Sequence, residues 1–453
     1  MLHCFSLDGV RLVLDVNSGA VHVVDEPAWF LLRRLAEGLS LPEAAGEAAV
    51  TGLVAAVVRE AVAEIEELVG RGQLLAPDPC GPDYRLPRKP LRALCLHLAH
   101  DCNLRCAYCF AGQGRFGGCA SMMPLAVGKR AIDYLIACSG SYSQVEVDFF
   151  GGEPLLNFPV LRELVLYGRE QEARAGKRIN FTVTTNGLLL NDEVACFLNE
   201  QGLQAVLSLD GRPQVHDRMR CTLGGQGSYA LVAPRIRKFV ASRDGQNCYV
   251  RGTYTRHNTD FSADFRHLAG LGFSAVSLEP VVADPGSEYA LDEGDYPVLA
   301  AEYERLARHL ASDDTKRSRF FHFDLNLDEG PCLAKRVTGC GAGTEYLAVD
   351  PGGDLYPCHQ FVGRADFLLG NVRAGDLRED LVDAFQRSHV MGKEDCRACW
   401  ARFFCSGGCH AAALAATGDM QKPGKLYCLL VRKRIECALF LRAQTAKAVP
   451  ATG

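Results

Sequence analysis

Three cysteines in one short segment are the residues of this chain best suited to chemistry. Cys102, Cys106 and Cys109 form a Cys-x3-Cys-x2-Cys pattern directly after a predicted strand. Three thiolates at this spacing suit three irons of a four-iron cluster and leave the fourth iron open for a ligand. A structural zinc site instead closes with four ligands and prefers paired Cys-x2-Cys knuckles. The pattern therefore favours an iron–sulfur cluster with one open iron.

The C-terminal third carries a second cysteine pattern. The cysteines in it are Cys340, Cys358, Cys396, Cys399, Cys405, Cys409 and Cys428. The run from 396 to 409 reads Cys-x2-Cys-x5-Cys-x3-Cys, a demanding spacing that indicates metal ligation, with a zinc ribbon as the alternative to iron–sulfur clusters. The chain has 20 cysteines in all, and its N-terminus lacks the basic and apolar regions of a signal peptide. Metal or redox chemistry is therefore favoured over disulfides.

Composition excludes several classes of protein. The 453 residues include 49 Lys+Arg against 54 Asp+Glu, a net charge of -5, and 48% are hydrophobic. This length and apolar content predict two to four domains with real cores and exclude general disorder. No run of 18 apolar residues exists, which predicts no membrane helix, and the acidic balance argues against binding nucleic acid through bulk charge. We expect a protein of a reducing, anaerobic cytoplasm.

The elements before the first cysteine triad predict a small recognition module and a linker. Two apolar runs at 10–16 and 20–24 flank an Asn-Ser-Gly turn and predict a hairpin. A helix is expected at 26–37, and Ser40 is expected to cap a further helical stretch that reaches Val69. Residues 1–79 thus predict a winged-helix-like domain, and the proline-rich segment that follows predicts a linker at 80–90.

A repeated strand–helix pattern follows and predicts a parallel α/β domain at 91–285. The predicted strands are 91–98, 145–150, 180–185, 205–209, 249–255 and 274–281. The predicted helices between them are 124–137, 159–173, 192–201, 229–242 and 261–271. Six units are too few for a closed eightfold barrel, so an open, partial (β/α)6 barrel is expected. Residues 286–329 predict a polar helical bridge, and 330–453 a cysteine-rich domain.

Polar and glycine-rich motifs follow successive predicted strands, where ligands gather in parallel α/β folds. They are Gly151-Gly152-Glu153-Pro154 after the second strand, Asn186 after the third, and Ser208 with Arg220 at and beyond the fourth. Each motif alone is as typical of a turn as of a binding site. Together, at successive strand ends, they predict one shared site.

The triad with Tyr108 resembles the signature of radical S-adenosylmethionine (SAM) enzymes. The resemblance implies that Cys102, Cys106 and Cys109 hold a [4Fe-4S] cluster whose open iron binds SAM. It also implies that SAM is contacted by Tyr108, Gly151, Gly152, Glu153, Pro154, Asn186, Ser208 and Arg220. The glycines would let the backbone approach that ligand.

The C-terminal cysteines resemble the SPASM extension of radical SAM peptide-modifying enzymes, which implies two auxiliary [4Fe-4S] clusters and three clusters in all. By this resemblance Cys340, Cys358 and Cys409 would hold the first auxiliary cluster, and Cys332 lies where some family members have a fourth ligand. The second auxiliary cluster would be held by Cys396, Cys399, Cys405 and Cys428.

A narrower resemblance, to the maturases of SCIFF peptides, covers nearly the whole chain. It rests on residues 14–25, 94–106, 146–157, 279–283 and 341–349. It implies an enzyme that installs thioether cross-links, from a cysteine sulfur to a carbon of a residue such as threonine, in a ribosomal precursor peptide. The N-terminal domain would bind the leader of that precursor along 20–24, and a low-potential donor such as flavodoxin or ferredoxin would supply electrons. No nucleic acid or membrane partner is expected.

Two other functions fit parts of the pattern. One is a SPASM enzyme that oxidises a cysteine or serine of a protein, as sulfatase maturases do, although such enzymes need no leader-binding domain. The other is a non-catalytic, zinc-binding peptide adaptor, which would be colourless where an iron–sulfur protein is brown.

Overall fold

The computed structural model describes residues 1–81, 84–313, 318–325 and 337–447. At its centre lies a sheet of eleven strands. Its strands are β4 (Ala93–His100), β6 (Ser121–Met122), β7 (Gln144–Gly151), β8 (Arg178–Thr185), β9 (Gln204–Ser208), β11 (Cys248–Tyr254), β12 (Ala275–Pro280), β13 (Arg319–Phe320), β14 (Tyr346–Val349), β15 (Asp354–Tyr356) and β16 (Gly370–Asn371). Their order across the sheet is β13-β12-β11-β9-β8-β7-β4-β14-β15-β16, and β6 pairs with β4.

The six predicted barrel strands are confirmed as β4, β7, β8, β9, β11 and β12, each within three residues of the expected bounds. All neighbouring pairs among them are parallel. The five predicted helices between them are confirmed as α4 (Leu125–Cys138), α5 (Phe158–Ala175), α6 (Asp192–Glu200), α8 (Tyr229–Ala241) and α9 (Phe261–Gly270). The strand order has two ends and does not close, as expected of an open arrangement.

Alternating burial along β7 and β8 shows that one face of the sheet lines a hollow. In both strands every second residue is fully buried, and the residues between them are only partly buried. The buried set, which includes Val147 and Phe181, packs beneath the outer helices. The alternate set, which includes Asp148 and Thr182, faces the interior. Parallel strands are normally apolar on both faces, so polar residues at alternate positions mark an internal cavity.

The C-terminal region, where a cysteine-rich domain was predicted at 330–453, contributes strands to the same sheet. β14 pairs parallel to β4, with Ala348 opposite Cys95, and β15 and β16 extend the edge as antiparallel strands. The apolar stretch Leu347–Val349 is fully buried and supplies the strand that covers this side of β4. The predicted bridge contains α10 (Tyr296–Ser312), which packs along the last helix, α15 (Lys425–Lys447).

The N-terminal residues form three antiparallel strands followed by three helices. The strands are β1 (Leu2–Leu7), β2 (Val10–Asp15) and β3 (Val21–Val23), and the helices are α1 (Glu26–Ala36), α2 (Leu41–Val50) and α3 (Ala55–Gly70). The predicted hairpin is β2–β3, and Ser40 caps α2 in a reciprocal pair with Glu43. β1 was missed because its apolar residues are interrupted by His3 and Ser6. Its carbonyls and N–H groups pair with the outer edge of β2.

The N-terminal module is fixed to the cysteine-rich end of the chain by polar and aromatic contacts. The His3 ring stacks on Trp400, with the ring centroids 3.6 Å apart. His3 Nε2 also forms a hydrogen bond with the Glu436 carboxylate at 3.1 Å. The buried Arg402 donates to Asn17 at 2.8 Å and to Asp78 at 2.9 Å. Trp400 and Arg402 both lie within the segment from Cys399 to Cys405, so this module packs directly against the second group of cysteines.

The remaining described elements surround that group and the triad. They are β5 (Leu104–Cys106), β10 (Arg220–Thr222), α7 (Pro213–Met219), α11 (Glu379–Arg387), α12 (Glu394–Arg397), α13 (Arg402–Cys405) and α14 (His410–Thr417). Within the described ranges, no helix combines the length and the apolar character needed to cross a bilayer.

Candidate functional site

A two-strand ribbon beside the end of β4 holds the cysteine triad. β5 pairs antiparallel with β10, which places Cys106 opposite Arg220. The Leu104 N–H lies 3.5 Å from the Cys102 sulfur, and the Cys109 N–H donates to the Cys106 carbonyl at 3.2 Å. The loop is therefore tied both to itself and to a second segment that follows β9.

The neighbouring thiols of the triad affect the ionisation of Cys102 and Cys106. Burial raises the pKa of Cys102 to about 12, with the Glu153 carboxylate, Cys106 and Cys109 adding to the rise. Burial also raises the pKa of Cys106 to about 11, against the opposing effect of the Arg220 guanidinium. A partly buried set of three thiols with no histidine or carboxylate ligand among them suits an iron–sulfur cluster, whose binding replaces the thiol protons.

Two glycines let the end of β7 meet the backbone just after β4. A Cβ on Gly151 would lie 2.3 Å from the Ala99 oxygen, and one on Gly152 would lie 2.1 Å from the Asp101 oxygen. The expected reason for these glycines was approach to a bound ligand. In the structure the two glycines have a different role. They allow the end of β7 to pack against the backbone of Ala99 and Asp101, just before Cys102. Pro154 does not line the cavity; it begins a short 3-10 turn, Pro154–Asn157.

Glu153 is a fully buried carboxylate that accepts three hydrogen bonds. They come from the Leu155 N–H at 3.0 Å, the Thr185 hydroxyl at 2.8 Å and the Asn186 N–H at 2.8 Å. Burial raises its pKa to about 7. The Asn186 amide in turn lies 3.7 Å from the Cys102 sulfur. Glu153 thus couples the ends of β7 and β8 and aims Asn186 at the triad.

Asp210 has the same role at the end of β9. Its carboxylate accepts from the Tyr108 hydroxyl at 2.6 Å, from Arg220 Nε at 3.0 Å and from the Thr253 N–H at 3.0 Å. The Arg220 guanidinium also lies over the Tyr108 ring, 5.4 Å from its centroid. The structure therefore brings Tyr108 and Arg220 together beside Cys106 through a carboxylate whose role was not predicted from the sequence.

A cavity of about 500 Å³ opens between the triad and the interior face of the sheet. The predicted site residues that line it are Cys102, Cys106, Tyr108, Cys109, Gly151, Gly152, Glu153, Asn186, Ser208 and Arg220. A volume of this size is ordinary for a cofactor or small-ligand site. The strand-end motifs are thus collected around one space, as their positions predict.

The far wall of this cavity carries charged and aromatic groups. A carboxylate oxygen of Glu279 lies 3.2 Å from an Arg434 guanidinium nitrogen, and the other lies 3.3 Å from His322 Nε2. Burial opposes its ionisation, but Arg434, His322 and Arg251 together lower its pKa, so the carboxylate is charged at neutral pH. His359, the residue after Cys358, also lines the cavity.

Two sets of C-terminal cysteines were expected to act as separate groups, and thiols within each expected set raise the pKa of their neighbours. Cys340 and Cys409 both raise the pKa of Cys358, and Cys409 raises that of Cys340, in each case added to burial. These three are the first auxiliary group. Cys332, its proposed fourth member, lies outside the described residues.

The second auxiliary group comprises Cys396, Cys399, Cys405 and Cys428. Burial raises the pKa of Cys405 to about 12, and the other three thiols add to it. Between Cys405 and Cys409 lie Ser406, Gly407 and Gly408, all three with positive φ, at 56°, 84° and 72°. Successive left-handed residues turn the chain sharply, which lets two cysteines four positions apart enter different groups.

In the part of the chain that the structure describes, no three His, Cys, Asp or Glu side chains converge so as to hold a single metal ion. Cysteines of an iron–sulfur cluster each bind a different iron and need no such convergence. The donor sets therefore fit clusters through their composition and grouping.

Sequence reasoning missed Asp210, Glu279 and the interior-facing Asp148. A signal for them exists in the chain. Each lies on or just after a barrel strand, and Asp148 alternates with the buried Val147 and Phe149. Polar residues at alternate positions of a parallel strand predict a lined cavity, and the Glu-Val-Asp-Phe run of β7 shows that alternation in its amino-acid sequence alone.

Comparisons with known proteins agree with this geometry. Residues 91–232, which contain the triad and the first four barrel strands, match the family described as "4Fe-4S single cluster domain". An uncharacterised protein of Methanocaldococcus jannaschii is 30% identical over 62% of this chain and 89% of its own length. The mycofactocin maturase of Mycobacterium ulcerans is 29% identical over 70% of this chain and 83% of its own. The serine-type anaerobic sulfatase-maturating enzyme of Klebsiella aerogenes is 25% identical over 75% and 85%.

Solved structures share the fold. A structure described as native anSMEcpe with bound AdoMet matches with a TM-score of 0.65 and 19% identity, over 80% of this chain and all of the other. Streptococcus suis SuiB, bound to S-adenosylmethionine, matches with a TM-score of 0.52 and 15% identity, over 94% of this chain and 98% of the other. The fold of this chain is therefore shared with proteins of low sequence identity.

Proposed function

Since this chain belongs to the family of radical SAM maturases, we propose that it installs thioether cross-links in a cysteine-rich SCIFF precursor peptide. The observation that carries the proposal is the reach of the cavity. The residues that line it include Cys102, Cys106 and Cys109 and also His359 and Gln360, which directly follow Cys358 in the chain. A substrate there lies between two cysteine groups, which suits a reaction that joins a sulfur to a carbon.

Each group of residues has a part in this proposal. The triad holds the SAM-binding [4Fe-4S] cluster, and Tyr108, Gly151, Gly152, Glu153, Asn186, Ser208 and Arg220 form the SAM site, with Pro154 fixing the turn below it. The auxiliary groups hold two further clusters. When bound, these cofactors supply a one-electron donor, an acceptor for a substrate hydrogen atom, and an acceptor for the electron released as the S–C bond forms.

The chain's own residues supply position and protection. Glu153 and Asp210 are buried carboxylates whose hydrogen bonds fix Asn186, Tyr108 and Arg220 before any ligand arrives, so little reorganisation is needed on binding. The charged Glu279 is placed to orient the peptide through its N–H groups or a cationic side chain. The fully enclosed strands behind the cavity exclude water from a reactive site.

The free edge of β3 suits the leader of the precursor as an added strand. In the antiparallel pair with β2, His22 lies opposite Val13, and the Val24 N–H donates to the Arg11 carbonyl. The N–H of Val23 therefore points away from β2. The side chain of His22 reaches the Gln73 carbonyl just beyond α3, at 3.1 Å, so this edge faces the end of the third helix.

Substitution of Val23 tests this edge. Val23→Pro removes one outward N–H and leaves the β2 ladder intact, because proline is tolerated at such edge positions. We expect at least tenfold weaker leader binding by titration calorimetry, and no change for the matched variant Val23→Ala. Equal affinity of the proline variant and the wild type would show that the leader binds elsewhere.

The mass of the precursor tests the reaction itself. We expect the short cysteine-rich peptide encoded beside this gene, co-produced anaerobically with the enzyme, to lose two hydrogens per cross-link and to lose thiols that react with iodoacetamide. Cys102→Ala should abolish the change, whereas Cys119→Ala, which alters an exposed cysteine, should leave it intact. SAM cleavage without a mass change would refute the SCIFF assignment.

Oxidation of a single cysteine or serine is a second candidate, because a sulfatase-maturating enzyme is among the relatives. It forms no link between residues, so tandem mass spectra of the product would show an uninterrupted fragment series. A thioether suppresses fragments between the two linked residues. A low-potential flavodoxin or ferredoxin is the proposed electron donor for either reaction.

A further inference from the structure

A buried lysine lies beside both auxiliary cysteine groups. Lys393 is 1% exposed and directly precedes α12, which carries Cys396. Its Nζ donates to the Gly407 carbonyl at 3.0 Å. Gly407 belongs to the left-handed turn that separates Cys405 from Cys409. The ammonium is thus held at the junction of the two groups.

No carboxylate of the described ranges forms an ion pair with this ammonium. Other buried cations of the chain are paired: Arg402 lies 2.9 Å from Asp78, and Arg434 lies 3.2 Å from Glu279. An uncompensated buried charge costs several kcal/mol. A stable protein therefore places a negative charge near Lys393 in some other form.

Cysteine sulfur supplies that charge once the two groups hold clusters, because cluster binding replaces the thiol protons. Burial lowers the pKa of Lys393, and the thiolates of Cys396, Cys405, Cys409 and Cys428 oppose this by favouring the ammonium. Cys409 belongs to the first auxiliary group, and the other three belong to the second. One cation is therefore shared by ligands of both groups.

We propose that Lys393 is the common counter-ion of the two auxiliary clusters and raises the reduction potential of both. The inference rests on the proposed function only in that both groups carry iron–sulfur clusters. Reduction adds one electron to a cluster and changes no bond to Lys393. A fixed positive charge in a medium of low permittivity favours the more negative, reduced form, and net charge and hydrogen bonding near the sulfurs set such potentials.

Arg432 offers a matched comparison. Cys399, Cys428 and Cys405 raise its pKa against the effect of burial, and all three belong to the second group. Its charge should therefore influence only the second auxiliary cluster. Lys393 is a positioning residue by this argument, because it acts through the clusters and not on the peptide.

The test is a redox titration of the full-length protein, reconstituted anaerobically and followed by electron paramagnetic resonance. In Lys393→Met we expect both auxiliary clusters to become at least tenfold harder to reduce, a shift of 59 mV or more for a one-electron couple. The cluster of the Cys102 triad should keep its potential. Arg432→Gln should shift the second auxiliary cluster alone, and Lys393→Arg should stay within tenfold of the wild type.

The outcomes separate this inference from the function it rests on. Unchanged auxiliary potentials in Lys393→Met, with full iron content, overturn the inference and leave the proposed function standing. If Lys393→Met does not retain iron, Lys393→Arg decides: a tenfold or larger shift in that variant overturns the inference, because the charge is kept. A wild type that binds iron only at the triad overturns both.

Discussion

The buried ion pair between Asp210 and Arg220 makes the sharpest prediction about the proposed SAM site. The Arg220 side chain is 12% exposed and that of Asp210 is 1% exposed, with Nε and Oδ2 3.0 Å apart. In Asp210→Asn, an amide NH₂ or a neutral oxygen replaces the carboxylate, and the Arg220 guanidinium loses its counter-charge. Breaking a buried pair at one partner costs about 3–5 kcal/mol.

This loss of stability should appear in the β5–β10 ribbon, because Arg220 lies in β10 and its pair with Asp210 anchors the ribbon to the end of β9. A local loss of about 3 kcal/mol makes amide opening roughly 150-fold more frequent, since every 1.4 kcal/mol is tenfold. Hydrogen exchange followed by mass spectrometry should show this acceleration in peptides that contain Leu104–Cys106 and Arg220–Thr222. SAM binding should weaken in parallel, because Tyr108 and Arg220 are no longer held in place.

The pair between Glu146 and Arg92 is the matched control. It has the same separation, 3.0 Å, but its side chains are 43% and 44% exposed. Exposed pairs contribute about 0–1 kcal/mol, so Glu146→Gln should change exchange around Arg92 by less than about fivefold. If Asp210→Asn changes exchange in the ribbon no more than this, burial is not what gives the Asp210 pair its strength, and the reasoning fails.

Two further predictions concern backbone fit and pH. Gly152→Ala places a methyl 2.1 Å from the Asp101 oxygen, so the adjoining Cys102 should shift. The triad of this variant should therefore lose iron in a metal assay. Gly118→Ala is the control and should keep its iron, because the nearest neighbour of the new methyl would lie 3.6 Å away. Burial, followed by the charge of Glu146, raises the pKa of Asp148 from 3.8 to about 7. The folded protein therefore keeps a proton that the unfolded chain loses between about pH 4 and 7, and stability falls as pH rises through that range. The melting temperature of Asp148→Asn relative to the wild type should accordingly be higher at pH 8 than at pH 5, and a difference independent of pH would contradict the shift.

The local pattern of apolar and polar residues was enough to predict most strands and helices of the barrel. Strands such as β8 and helices such as α6 have strong apolar periodicity and clear ends, with Asn191 capping α6. The positions of Asn186 and Ser208 at strand ends also follow from pattern, because parallel strands share one carboxyl edge. These predictions need only short-range information.

What was missed depends on contacts distant in sequence. β14 joins the sheet through β4, about 250 residues earlier in the chain, and no local signal names that partner. The link from Tyr108 to Asp210 spans 102 residues, and the pairing of Arg402 with Asp78 spans 324. The roles of Lys393 and Glu153 depend on their burial. Burial is decided by the packing of the folded chain, so a local sequence pattern does not reveal it.

The parallel pairing of β14 with β4 has a consequence for the proposed cross-linked products. β4 leads directly into the cysteine triad, and β14 is followed within nine residues by Cys358. A hydrogen-bonded ladder therefore joins the strand that leads to the triad to the strand that precedes Cys358. If the proposed cross-linking takes place here, this ladder limits how far the two cysteine groups can move apart, and the number of residues enclosed by each peptide ring is decided by how the substrate chain folds between them.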